Sequence, residues 1–131
     1  MRVMGCEVAP KSILVVDDEP AVANTLSLLL MINRHKVQVV TDVAKALAVY
    51  DCGRYDLVIT DFMMPGMDGL ELARLIKRRA PEQRIFMVTG YAHVVSEEDK
   101  RQMCIDRLLE KPFTPRQLSE AMASVFSGPG G

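Results

Sequence analysis

Short apolar runs rich in β-branched residues recur along the chain at Ile13–Val16, Val37–Val40, Leu57–Thr60, Ile85–Val88 and, more briefly, Leu108–Leu109. Each is apolar nearly without alternation, the pattern of a strand covered on both faces rather than one. Segments of helical period lie between the runs. In the first of these, Pro20 suits an opening helical position, and Val22, Leu26, Leu29 and Leu30 fall at i, i+4, i+7 and i+8 on one face. Further on, a short polar side chain is followed three residues later by an acid or amide at Asp68 with Glu71, Ser96 with Asp99, and Thr114 with Gln117. That spacing lets the two side chains satisfy each other's free backbone N–H groups at a helix start. Leu118, Met122 and Val125 then form an apolar stripe in the last helix. Strand and helix in regular alternation predict βαβ units and a parallel sheet, an α/β fold.

The pattern also bounds the domain. Residues 1–11 carry no sustained periodicity and are expected to be a flexible leader, residues 12–126 a single domain, and the glycine-rich stretch 127–131 a disordered tail or linker stub. A chain of 131 residues is one domain's worth. With 49% hydrophobic and 25% charged residues it has an ordinary globular composition, and a formal net charge of −1 offers no broad basic surface, so no direct nucleic-acid binding is expected. The longest apolar stretch, around Leu26 to Ile32, is far short of a membrane span. Cys6, Cys52 and Cys104 are too widely spaced for a C-x-x-C metal site and odd in number, which fits neither a disulfide framework nor an oxidising compartment; the expected compartment is the cytoplasm.

Ligands of an open parallel sheet bind outside the carboxyl ends of its strands. Here the first run ends in Asp17-Asp18, the third in Asp61, the fourth in Thr89, and the fifth stops just before Lys111. Each has a plainer reading when taken alone. An Asp pair closes turns, a threonine ends strands, a lysine before Pro112 is ordinarily solvated, and Asp61 before Met63-Met64-Pro65-Gly66 is a turn-forming acid. Their occurrence at four strand ends in order favours a shared site. Three aspartates against one lysine leave a formal charge of −2 there, which a divalent cation would offset; hard oxygen donors suit Mg²⁺ completed by a phosphate oxygen. Asp61 would then be a carboxylate nucleophile toward a phosphoryl group, with Lys111 stabilising the equatorial oxygens.

The stretches Ile13-Leu14-Val15-Val16-Asp17-Asp18-Glu19-Pro20, Asp56 to Gly69, Val88-Thr89-Gly90 and Glu110-Lys111-Pro112-Phe113 resemble, in that order, the receiver domain of two-component response regulators. The resemblance implies a doubly wound, flavodoxin-like sheet of five parallel strands in the order 2-1-3-4-5. It implies Asp61 as phosphoacceptor, and Mg²⁺ held by Asp18, Asp61 and the backbone carbonyl of Met63, with Asp17 acting through a metal-bound water. Lys111 and Thr89 would contact the phosphoryl oxygens, and the Lys111–Pro112 bond would be cis. The donor would be a histidine kinase or a histidine phosphotransfer protein. Output would pass through a surface of the fourth helix, fifth strand and fifth helix, which is also the face expected in any homodimer.

Some positions depart from the family pattern. Leu108 stands where an aromatic switch residue is usual, Met63 brings no polar group to orient water, and Tyr91 follows Thr89 closely. Slow autodephosphorylation is expected. The charged segment from Ser96 to Asp106 reads as a solvated fourth helix, His35 and His93 as exposed residues unrelated to the site, and the methionines as packing and surface residues. Among rival readings, a phosphatase of the haloacid dehalogenase type wants an acid two positions after the nucleophile, where Met63 stands. A phosphorylation-independent adaptor predicts missing acids or lysine, and none is missing. Nucleotide binding wants a glycine-rich loop after the first strand, which this sequence lacks.

Overall fold

The computed structural model describes residues 8–51, 53–62, 69–90 and 105–126. Five strands, β1 (Ser12–Val16), β2 (Lys36–Val40), β3 (Leu57–Asp61), β4 (Arg84–Thr89) and β5 (Arg107–Glu110), pair in parallel in the order β2-β1-β3-β4-β5. The described helices are α1 (Pro20–Ile32), α2 (Val43–Val49), α3 (Gly69–Arg79) and α4 (Pro115–Phe126), the last helix of the chain. Most of the segment expected to form a helix between β4 and β5 lies outside the described residues, as do Asp68, Tyr91 and His93.

Both faces of the sheet are covered, which explains the unbroken apolar runs. Leu14, Val16, Val58, Ile85 and Met87 point to one side, where α2 and α3 supply Val43, Ala46, Leu72, Ala73 and Ile76. Ile13, Val15, Leu57, Ile59, Phe86 and Val88 point to the other, against Ala23, Leu26 and Leu30 of α1 and Leu118, Ala121 and Met122 of α4. Alternate residues of one strand thus feed two cores. Leu26 and Leu30 of the stripe read for α1 meet this second core beside Ala23, while Val22 and Leu29 are only half-buried; the α4 stripe meets it through Leu118 and Met122, with Val125 packed at its margin. At the start of α4, Thr114 Oγ1 accepts from the Gln117 N–H at 3.0 Å and Gln117 Oε1 from the Thr114 N–H at 2.8 Å, the expected reciprocal pair. Asp42 caps α2 by accepting from the Lys45 N–H at 2.7 Å.

The short edge strand β5 is held by polar contacts at its start. Asp106 accepts from the Ile85 N–H at 2.8 Å and pairs with Arg84 at 3.1 Å and Lys77 at 3.8 Å, tying α3, β4 and β5 together.

His35 corrects an expectation: it is buried, with 6% of its surface exposed. The turn after α1 places Arg34 in the left-handed region, φ 70°, and folds His35 under the helix end, where its N–H donates to the Leu30 carbonyl at 3.2 Å. Its Nδ1 accepts from the Lys11 N–H at 2.9 Å, a bond that only an unprotonated Nδ1 can make. Burial, and secondarily the Lys11 charge, holds the His35 pKa below its ordinary value of 6.5. The unfolded chain therefore binds the extra proton first. The His35 contribution is complete above about pH 6.5 and is lost as pH falls below it, by at most about 1.4 kcal/mol per pH unit. Thermal melts of wild type and His35→Gln between pH 7.5 and 5.5 should show the wild type losing more stability on acidification; equal losses would contradict this account.

Candidate functional site

The carboxyl ends of the strands bring the sequence candidates together. β1 delivers Asp17 directly after Val16, β3 ends on Asp61, β4 on Thr89, and Lys111 follows the last residue of β5. Asp17 and Asp61 are buried, with 3% and 7% of their surfaces exposed, and Thr89 is fully enclosed. Lys111 Nζ reaches across the strand ends and lies 3.5 Å from Asp17 Oδ2 and 3.6 Å from Asp61 Oδ2. These are ion pairs rather than short hydrogen bonds. The main chain fixes the base of that lysine, since its N–H donates to the Thr89 carbonyl at 2.8 Å, and the Lys111–Pro112 peptide is cis.

Glu19 was not singled out as a site residue in the sequence. The Glu19 N–H donates to Asp17 Oδ1 at 2.9 Å, folding the chain back over two residues. One carboxylate oxygen from each of Asp17, Glu19 and Asp61 then lies within 4.8 Å of the others. Asp18, between the two, is half-buried and stands outside that trio. A signal was present in the Asp-Asp-Glu run: an Asp at a strand end captures the N–H two residues on, so the first and third acids share a side. Met63 lies outside the described residues.

Three carboxylates against one ammonium leave this cluster with a formal charge of −2. The donor set is all oxygen, hard and anionic, and so fits a small divalent cation that keeps some of its waters.

Gly69, the first residue of α3, packs on the phosphoacceptor candidate's own backbone. A β-carbon there would fall inside the van der Waals envelope of the Asp61 carbonyl oxygen and come to 3.2 Å from Thr60 Oγ1. The Gly69 N–H donates to the Phe62 carbonyl at 2.8 Å, so the helix start is drawn against the end of β3. Leu108, at the usual aromatic position, is half-buried in β5 beside Met87 and packs against the core on the α2 and α3 side.

A sequence model described as the response regulator receiver domain matches residues 13–123. Sensory transduction protein RegX3 of Mycobacterium tuberculosis is 30% identical over 115 residues, which are 88% of this chain and 50% of that protein. The chain thus spans about half the length of this curated relative. A response regulator receiver domain protein from Clostridium thermocellum superposes with a TM-score of 0.80 at 29% identity, covering 86% of this chain and 91% of that one. The response regulator protein TrrA of Thermotoga maritima, solved in complex with Mg²⁺ and beryllofluoride, superposes with a TM-score of 0.78 at 33% identity, covering 87% and 97%.

Proposed function

The chain belongs to the response regulator receiver domain family of two-component systems, and from that premise we propose that it accepts a phosphoryl group onto Asp61 from a histidine kinase or a histidine phosphotransfer protein, with Mg²⁺ as cofactor. The observation that carries the reading is the bridge of Lys111 Nζ between buried Asp17 and buried Asp61 at the carboxyl edge of the sheet.

An oxygen of the Asp61 carboxylate attacks the phosphorus of a phosphohistidine; the P–N bond breaks and its electron pair stays on the imidazole. Mg²⁺ would be held by Asp61, Asp18 and the Met63 carbonyl, with Asp17 acting through a metal-bound water, and would supply positive charge for the phosphoryl oxygens. Lys111 already faces the nucleophile and has only to exchange a carboxylate for a phosphoryl oxygen. Asp17, fixed by the Glu19 N–H and by Lys111, keeps the site anionic enough to want a cation. Thr89, whose main chain is bonded to Lys111, supplies a hydroxyl donor to the phosphoryl group. The modified Asp61 bears roughly one further negative charge, which biases states of the surface made by the segment before β5, β5 and α4. That surface, with residues 12–126 as the folded unit, is the proposed output and homodimer face. The proposed compartment is the cytoplasm, where such kinases present their phosphohistidine; among the described residues no helix is long and apolar enough to cross a membrane.

The test is incubation with acetyl phosphate, with and without Mg²⁺, followed by intact-mass measurement. A Mg²⁺-dependent gain of one phosphoryl group is expected; no gain, and no spectral change with beryllofluoride, would return the chain to an adaptor role. With Met63 two positions after Asp61, the phosphorylated domain should persist well beyond seconds in Mg²⁺ buffer, and a half-life of seconds would contradict slow autodephosphorylation.

A further inference from the structure

Glu19 is the one member of the carboxylate trio that the receiver reading does not require. It caps α1 in position only: its backbone is extended, φ −99° and ψ 105°, and its side chain makes no capping hydrogen bond. Pro20 at the helix start fixes the direction of the chain from there. Glu19 is exposed, whereas Asp17 and Asp61 are buried, so its carboxylate stands on the solvent side of the other two. Asp17 is already engaged at both oxygens, Oδ1 by the Glu19 N–H and Oδ2 by the Lys111 ammonium, so part of its charge toward a cation is offset.

We infer that Glu19 is a further metal-site residue, a rim carboxylate that strengthens capture of the divalent cation and offsets what Asp17 has given to Lys111. The inference rests on the receiver reading, and the Mg²⁺ carried by the similar structure of TrrA supports the identity of the ion. Through about 5 Å of well-hydrated surface, one carboxylate acting on a dication is worth roughly a fivefold change in affinity at moderate ionic strength, and less in high salt.

Mg²⁺ titrations of the unphosphorylated full chain, followed by calorimetry or by displacement of Mn²⁺ in electron paramagnetic resonance, test this without any phosphoryl transfer. Glu19→Gln should raise the Kd for Mg²⁺ about fivefold, an effect that shrinks as salt is added, with no loss of thermal stability in metal-free buffer. Glu82→Gln, an exposed site on the turn before β4 at the opposite edge of the sheet, removes the same charge and should leave the Kd unchanged. Equal Mg²⁺ affinity in wild type and Glu19→Gln, or equal weakening in both variants, would overturn the inference and leave the receiver reading standing. A wild-type chain that binds no Mg²⁺ would remove the cofactor reading and this inference together.

Discussion

Asp61→Asn is expected to abolish phosphorylation while leaving the domain folded and, in metal-free buffer, at least as stable as the wild type. The amide has no anionic oxygen to attack phosphorus, so the rate with acetyl phosphate should fall by at least about a thousandfold, or about 4 kcal/mol in the barrier. The stability half follows from charge crowding. Asp61 is buried within 4.8 Å of two other carboxylates, and the Lys111 ammonium is shared between it and Asp17. Replacing it with an amide of the same shape removes repulsion, and Lys111 keeps Asp17 as its partner. Intact-mass kinetics and thermal melts of the same preparations check both halves. Retained phosphorylation would move the acceptor elsewhere, and a lower melting temperature without Mg²⁺ would show that the acids are not in conflict. Function and stability pull in opposite directions here, as expected where a site is built from like charges.

Gly69→Ala is expected to do the reverse, damaging the fold and the chemistry together. The added methyl would meet backbone rather than the end of a flexible side chain. That backbone cannot easily give, because β3 is flanked by β1 and β4 and the Phe62 N–H is bonded to the Val88 carbonyl at 2.9 Å. Overpacking of this kind costs about 1–3 kcal/mol. A displacement of Asp61 by about 1 Å relative to Lys111 would slow phosphorylation on the order of a hundredfold. Melting temperature and acetyl phosphate kinetics, the latter measured well below the melting transition, read the two effects separately. An alanine variant with wild-type values for both would mean that α3 can back away from β3 at no cost.

Much of this architecture is legible in the amino-acid sequence. The five apolar runs became the five strands, each extended by at most one residue at either end, and Leu108–Leu109 doubled in length by gaining Arg107 and Glu110. Those added residues are polar, which is why periodicity alone undersized the strand. The reciprocal bonds of Thr114 and Gln117 were readable because a helix start is local chemistry. The order of Asp17, Asp61, Thr89 and Lys111 along the chain sufficed to propose a common edge, since in a parallel sheet successive strand ends point the same way.

His35 was misread because its burial depends on a left-handed turn at Arg34, and no property of a histidine or an arginine marks that turn. Glu19 escaped notice because exposed acids after a strand are common, and its nearness to Asp61 arises only when Asp17 folds the intervening residues back. The need for glycine at position 69 depends on how closely α3 approaches β3. The sequence by itself determined which segments would be strands, which stripe of the last helix and which part of the first helix's stripe would be buried, and which residues would end the strands, because those follow from periodicity and local hydrogen bonding. Only the tertiary structure decided that Lys111 spans two buried aspartates, that a third carboxylate joins them, and that a helix start rests on the Asp61 backbone. Those are distances between residues far apart in the chain, set by how the sheet twists and how closely its helices pack.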